Sequence, residues 1–153
     1  MDLILWRHAE AVDAVAGLSD AERALTTKGE RDARRMAEWL NNKLPDDVVI
    51  LVSPARRTQQ TANALRREFD TITAIGTDAE PADVLKAARW PRASQSALIV
   101  GHQPTLGRVA SLLLTGAAGD LSLKKGAVWW ITGRERGGRL QPVLRVMMAP
   151  DML

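Results

Sequence analysis

An α/β fold of three layers is predicted, with helices on both faces of a mostly parallel sheet and an antiparallel C-terminal edge hairpin. Three features of the sequence predict it. Short apolar runs alternate with amphipathic helical stretches along most of the chain. The runs at 3–6, 48–52 and 97–100 contain no polar residue, as expected of strands buried on both faces. After residue 126 the alternation gives way to two strand-like runs, 127–132 and 140–147, separated by the turn-rich stretch 133–139; that is a hairpin. One domain over residues 1–153 accommodates all of this, and no internal repeat, low-complexity tract or interdomain linker interrupts it.

In chain order, the first strand leads into a loop-like segment, 11–24, with small residues, Gly17 and several acids. Helical signals begin at Thr26 and Thr27, and Thr27 with Glu30 has capping-box spacing. Ala33, Met36, Ala37 and Leu40 then recur at helical spacing, predicting an amphipathic helix that ends near Asn41 and Asn42, before Pro45. The β-branched run 48–52 is a strand stopped by Ser53 and Pro54. Proline suits a first helical turn, and the helix that follows is expected to reach about Phe69. A short strand is expected over 71–75, and a helix from Pro81 to about Trp90, ended by Pro91. The strand 97–100 turns through Gly101, His102, Gln103 and Pro104 into a very apolar helix, 106–114, that closes before Gly116. Trp129 and Trp130 are expected to pack on opposite faces of an edge strand.

Composition removes several function classes. Without cysteine there is no disulfide, no thiolate nucleophile and no cysteine metal site. No apolar stretch is long enough to span a bilayer, and the chain enters a strand directly without a secretory signal, so a cytoplasmic location is expected and no membrane partner. The net charge of +3 suits an anionic ligand but is too mild for nucleic acid. One Phe and five Trp form no basic-aromatic track for stacking on bases, so no nucleic-acid partner is expected.

The chain has two histidines, His8 and His102, and each follows an apolar run. Three segments share the order apolar strand, sharp turn, helix. They deliver Arg7 and His8; Ser53, Arg56 and Arg57; and Gly101, His102 and Gln103. In a parallel sheet such turns lie at one edge, where ligands collect. The set lacks the carboxylates of a hard-metal site, with only Glu10 close by, and no Ser-His-Asp logic is present; neither metal nor cofactor is expected. It suits a tetrahedral oxyanion, because guanidinium forks pair with phosphate oxygens and helix-start N–H groups add to the field. Neutral imidazole is a competent nucleophile and can carry a phosphoryl group. For that, one ring nitrogen must donate to a fixed acceptor, often a backbone carbonyl, leaving the other free. Nearby arginines are expected to keep the ring neutral by like-charge repulsion, and to stabilise the transferring oxygens.

Arg7-His8-Ala9-Glu10 resembles the Arg-His-Gly/Ala-Glu signature of the histidine phosphatase (phosphoglycerate mutase-like) superfamily. Leu25 and Thr26 with Gly29 resemble its Leu-Thr-x-x-Gly helix start. The segment from Ser53 through Arg57 to Gln60, Thr61 and Ala62 resembles its Ser-Pro-x-x-Arg-x-x-Gln-Thr-Ala block, and Gly101-His102 its second histidine block. Small size, Ala9, Gly101-His102-Gln103-Pro104 and the stretch from Lys124 to Trp130 are similar to the SixA-like phosphohistidine phosphatases. The resemblance implies the phosphoglycerate mutase-like fold. It also implies His8 as the phosphorylated nucleophile and Arg7, Arg57 and His102 as the phosphate pocket, with phosphate as product. Larger members carry an acidic proton donor after the second helix; here Asp78, Glu80 and Asp83 lie in that region, none in a clear motif. Without a donor, a substrate with an easily lost leaving group is favoured, as in the P–N bond of phosphohistidine on a protein. The alternatives are a small-molecule phosphomonoesterase or mutase of the same superfamily, and a non-catalytic module that binds phosphoproteins.

Other residues carry plainer expectations. Thr26 and Thr27 read as helix caps, and Ser53 as the cap of the helix bearing Arg57. Glu10 reads as structural or as paired with a pocket arginine. Arg56 is expected to point elsewhere, toward the pocket rim. Lys124 and Lys125 either meet an acidic protein substrate or are solvated.

Overall fold

A computed structural model describes residues 1–153. The strands are β1 (Asp2–Arg7), β2 (Val49–Val52), β3 (Asp70–Thr71), β4 (Ala97–Gly101), β5 (Val128–Arg136) and β6 (Arg139–Met148). The helices are α1 (Thr27–Asn41), α2 (Arg56–Asn63), α3 (Pro81–Ala87) and α4 (Thr105–Thr115). The strands form one sheet in the order β3-β2-β4-β1-β5-β6. β1, β2, β3 and β4 are parallel to their neighbours among themselves, whereas β5 runs antiparallel to β1 and β6 antiparallel to β5. The expected α/β architecture with its C-terminal hairpin at one edge is therefore present.

Alternation along the buried strands explains the layers. Ile4, Trp6, Ile50, Val52, Leu98 and Val100 share one core with Met36, Ala37 and Leu40 of α1 and Ala62 of α2. Leu3, Leu5, Leu51, Ala97 and Ile99 share the other with Val84 of α3 and Leu106, Val109 and Ala110 of α4. An apolar run without polar positions is what a strand needs when both faces meet helices.

Several boundaries differ from the sequence expectation, each for a local reason. The N-cap of α1 is Thr26, whose Oγ1 accepts from Gly29 N at 2.9 Å, so Thr27 is the first helical residue and the Thr27–Glu30 capping box does not form. α2 ends at Asn63, well short of Phe69, and the chain reaches a left-handed residue at Arg66 (φ 54°), which no helix continues through. Likewise α3 ends at Ala87, two residues before Arg89 (φ 53°). The strand expected over 71–75 is Asp70–Thr71 followed by a 3-10 turn at Thr73–Ile75. The hairpin turn is tighter than expected: β5 and β6 pair as far as Arg136 and Arg139. Only Gly137 and Gly138 connect them, and both have positive φ, as a two-residue hairpin turn demands. β5 is thus no edge strand, although Trp129 and Trp130 do pack toward opposite cores.

Gly29 fastens α1 to the segment that follows β1. A Cβ there would lie 2.0 Å from the carbonyl oxygen of Glu10, which also accepts from Thr26 N at 3.0 Å. Glu10 itself is structural, accepting from Thr26 Oγ1 at 3.0 Å through Oε1. Gly29→Ala is expected to destabilise the protein by about 1–3 kcal/mol, the range of overpacking against a fixed backbone, although alanine is the better helix former. Urea denaturation of the variant beside the parent measures it.

Candidate active site

The end of β1 is held on both sides. His8 N donates to Gly101 O of β4 at 3.1 Å, while Gly126 N donates to His8 O at 3.0 Å. Trp6 Nε1 reinforces the second contact by donating to Gly126 O at 3.0 Å. Ala9 N donates to Thr61 Oγ1 of α2 at 3.1 Å, which joins the turn to the helix that carries Arg57. His8 Nδ1 then donates to the carbonyl of Ala9 at 2.7 Å, so Nε2 is the ring nitrogen left unprotonated.

His102 stands at the matching end of β4. The two imidazole centroids are 5.4 Å apart. His102 Nε2 is 2.7 Å from Ser53 Oγ at the end of β2, and Leu106 N donates to the carbonyl of His102 at 2.9 Å. Arg7 Nη1 donates to Leu123 O at 2.7 Å. Arg57 Nη1 and Nη2 donate to the carbonyl and the carboxylate of Asp20, at 2.8 and 3.0 Å. The same carboxylate accepts from Arg23 Nε at 3.0 Å.

A cavity of about 310 Å³ brings Arg7, His8, Arg57 and His102 together, lined also by Arg23, Lys125, Asp13, Asp20, Thr77 and Gln103. Four cationic side chains face it against two carboxylates, which favours an anion. Four buried side-chain polar atoms have no hydrogen-bond partner in the protein. Three of them belong here, Arg7 Nε, Arg57 Nε and His102 Nδ1; the fourth is Thr132 Oγ1. Buried polar atoms are almost always paired, with water where not with protein, so three on residues that line one small cavity mark a place suited to an acceptor.

Both rings are neutral at physiological pH. Burial pushes His8 down to about 3, with repulsion from His102, Arg57 and Arg7 adding to it and the Ala9 carbonyl opposing. Burial pushes His102 down to about 4, with Arg57 adding and Asp20 opposing. Like-charge repulsion, the cause expected from sequence, is thus secondary to desolvation. Asp20 is held below the ordinary carboxylate range, first by its hydrogen bond from Arg57.

The remaining sequence expectations divide. Arg56 is exposed and outside the cavity. Ser53 does not cap α2, whose N-cap is Ala55 with no side-chain cap; its hydroxyl lies against His102 instead. Lys124 pairs with Asp151, whereas Lys125 lines the cavity. Of the three acids considered as proton donors, Asp78 and Asp83 line a separate cleft of about 390 Å³ that shares Thr77 with this one, and Glu80 lines neither. Asp83 is also occupied by accepting from Glu80 N at 2.9 Å in the cap of α3. Asp13, Asp20 and Arg23 are site-lining residues that sequence reasoning passed over. Their one local signal was the Ser19–Glu22 capping pair, in which Ser19 Oγ donates to Glu22 Oε2 at 2.7 Å and shapes the 3-10 turn bearing Asp20. No cluster of three or more His, Asp or Glu side chains is arranged to hold a metal ion.

Comparison with known proteins gives the family and the fold. Residues 3–86 match the profile of the histidine phosphatase superfamily, branch 1. An uncharacterized protein of Picosynechococcus sp. is 35% identical over 136 residues, 84% of this chain and 82% of that one. Phosphohistidine phosphatase SixA of Escherichia coli is 28% identical over 125 residues, 76% of each chain. The structure of the protein histidine phosphatase SixA complexed with tungstate shares the fold, with a TM-score of 0.78 at 24% identity over 99% of both chains. With more than half its length matched by the family profile, the chain belongs to the histidine phosphatase superfamily.

Proposed function

We propose that the protein is a metal-independent phosphatase working through a phosphohistidine at His8, and that its substrate is phosphohistidine on a protein. The observation that carries the reading is the set of three unpartnered buried nitrogens around His8, a nucleophile surrounded by donors that lack an acceptor. A phosphoryl group supplies three oxygens to such donors.

In the first step the Nε2 lone pair of His8 attacks phosphorus and the bond to the leaving group breaks, its electron pair departing with the leaving group. Arg7, Arg57 and His102 stabilise the charge on the transferring oxygens. In the second step water attacks the phosphoryl group on His8, phosphate leaves and neutral His8 returns. The acids at 78, 80 and 83 do not line this cavity and Asp20 is paired with Arg57 and Arg23, which leaves Asp13 as the one lining carboxylate without a partner; a leaving group that departs readily makes the least demand on it. The imidazole of phosphohistidine is one when its far nitrogen carries a proton, because it then departs as neutral imidazole, whose conjugate acid has a pKa of about 6.5; the alkoxide of a simple phosphate ester is not. The SixA relatives point the same way: one is named for phosphohistidine, and the structure of the other is of a complex with tungstate, a tetrahedral oxyanion.

The test is turnover of a phosphohistidine protein, with small aryl and alkyl phosphates for comparison. Phosphate release from phosphohistidine, transient label on His8 and indifference to chelator are expected. His8→Ala is expected to abolish both release and label. Full activity in that variant, or phosphate binding with no label at all, overturns the reading. Preference for a small ester with no action on phosphoprotein reassigns the substrate. Arg7→Ala or Arg57→Ala is expected to cost about 3 kcal/mol of transition-state stabilisation or more, read from kcat/KM.

The neutral rings have a consequence for stability. Both folded pKa values lie below the ordinary 6.5 of an unfolded histidine. As pH falls through 6.5 the unfolded chain binds protons that the folded chain refuses, so stability declines from there toward pH 4, and above 6.5 these groups contribute no slope. Urea denaturation at pH 7.5 and 5.0 is expected to show that loss in the parent and a smaller one in His102→Asn.

A further inference from the structure

We propose that Ser53 is a positioning residue: its hydroxyl donates to His102 Nε2 and thereby fixes the ring proton on Nδ1, the nitrogen offered to the phosphoryl group. The phosphoryl part rests on the function proposed above; the tautomer does not.

Hydrogen-bond counting sets the direction. Ser53 is fully buried, so its hydroxyl hydrogen needs an acceptor within the protein. Its oxygen already accepts a long bond from Ala55 N at 3.5 Å. His102 Nε2, at 2.7 Å, is the acceptor within reach. If the ring instead donated from Nε2, the Ser53 hydrogen would have no partner and the buried Nδ1 would present a lone pair. With Ser53 donating, every polar atom of its side chain is paired and Nδ1 carries a hydrogen with no partner in the protein. A hydrogen attracts an anion; a lone pair repels one. His8 is in the same tautomer for a different purpose, since its Nδ1 donates to Ala9 O and frees Nε2 to attack. A backbone carbonyl fixes one ring and a side-chain hydroxyl fixes the other.

The chain has only two histidines, so protein labelled with 15N-histidine gives two ring systems. At pH 7.5 two-bond proton–nitrogen correlations are expected to show both rings protonated at Nδ1. In Ser53→Ala the His8 pattern is expected to persist while His102 moves toward Nε2 protonation. Inorganic phosphate should then bind about tenfold more weakly, the effect of losing one hydrogen bond to a charged group. Ser53→Thr, which keeps the hydroxyl, is expected to restore both. The parent spectrum tests the assignment even where a variant does not fold. Nε2 protonation of His102 in the parent overturns the proposal. So does a Ser53→Ala protein with unchanged tautomer, or with a changed tautomer and unchanged phosphate affinity. A parent protein that holds the Nδ1 pattern yet turns over no phosphohistidine strikes the proposed function and leaves the tautomer assignment standing.

Discussion

The hydrogen bond from His8 Nδ1 to its neighbour's carbonyl, 2.7 Å long, is the constraint on which the rest of the site depends. It determines which ring nitrogen is free, and it exists only because the backbone turns at the end of β1. That turn is rigid because β1 lies between a parallel and an antiparallel partner, so residue 8 is gripped from β4 through Gly101 and from the opposite side through Gly126. An edge strand would hold it from one side only. Sites on such central elements keep their geometry better than sites on loops.

Burial does the electrostatic work that guanidinium repulsion alone would do less well. Desolvation is the largest cause of the depressed pKa at both rings, and the same apolar strand ends that create it also deliver the rings. A cavity lined by Arg7, Arg23, Arg57 and Lys125 can therefore be strongly positive while its imidazoles are neutral. One environment thus supports two different needs, a nucleophile with a lone pair and a field that attracts an anion.

Much of this was legible in the sequence where the signal was local. Uninterrupted apolar runs located β1, β2 and β4, and His8 and His102, immediately after β1 and β4, meet Arg57, in the first turn of the helix after β2, as parallel-strand logic requires. Helix ends were less legible, since nothing in the identity of Arg66 or Arg89 announces a left-handed backbone. The Gly137-Gly138 turn was hidden by charged neighbours that belong to the paired strands. Asp20 was out of reach for a further reason. It meets Arg57 across 37 residues, and its own segment is a loop whose only pattern is the Ser19–Glu22 pair. At both histidines desolvation outweighs the expected charge repulsion, because charge is visible in a sequence and depth is not.

The four side chains proposed to act on the phosphoryl group are each tied down by something other than that ligand. Arg7 is held by the Leu123 carbonyl, Arg57 by Asp20, His102 by Ser53 and His8 by Ala9. In each arginine the anchor uses terminal nitrogens and leaves Nε without a partner. Ordering a long side chain costs up to roughly 2 kcal/mol, and here folding meets that cost before any ligand arrives. Leaving a buried donor unsatisfied costs a further 1–3 kcal/mol or so, and more for a charged group. An oxyanion that accepts from these donors supplies a partner without incurring the ordering cost. The same arginines on an exposed loop would be satisfied by water and would lose freedom on binding. The anchored arrangement, ordered before any ligand arrives, is therefore better suited to grip a phosphoryl group as its charge is redistributed.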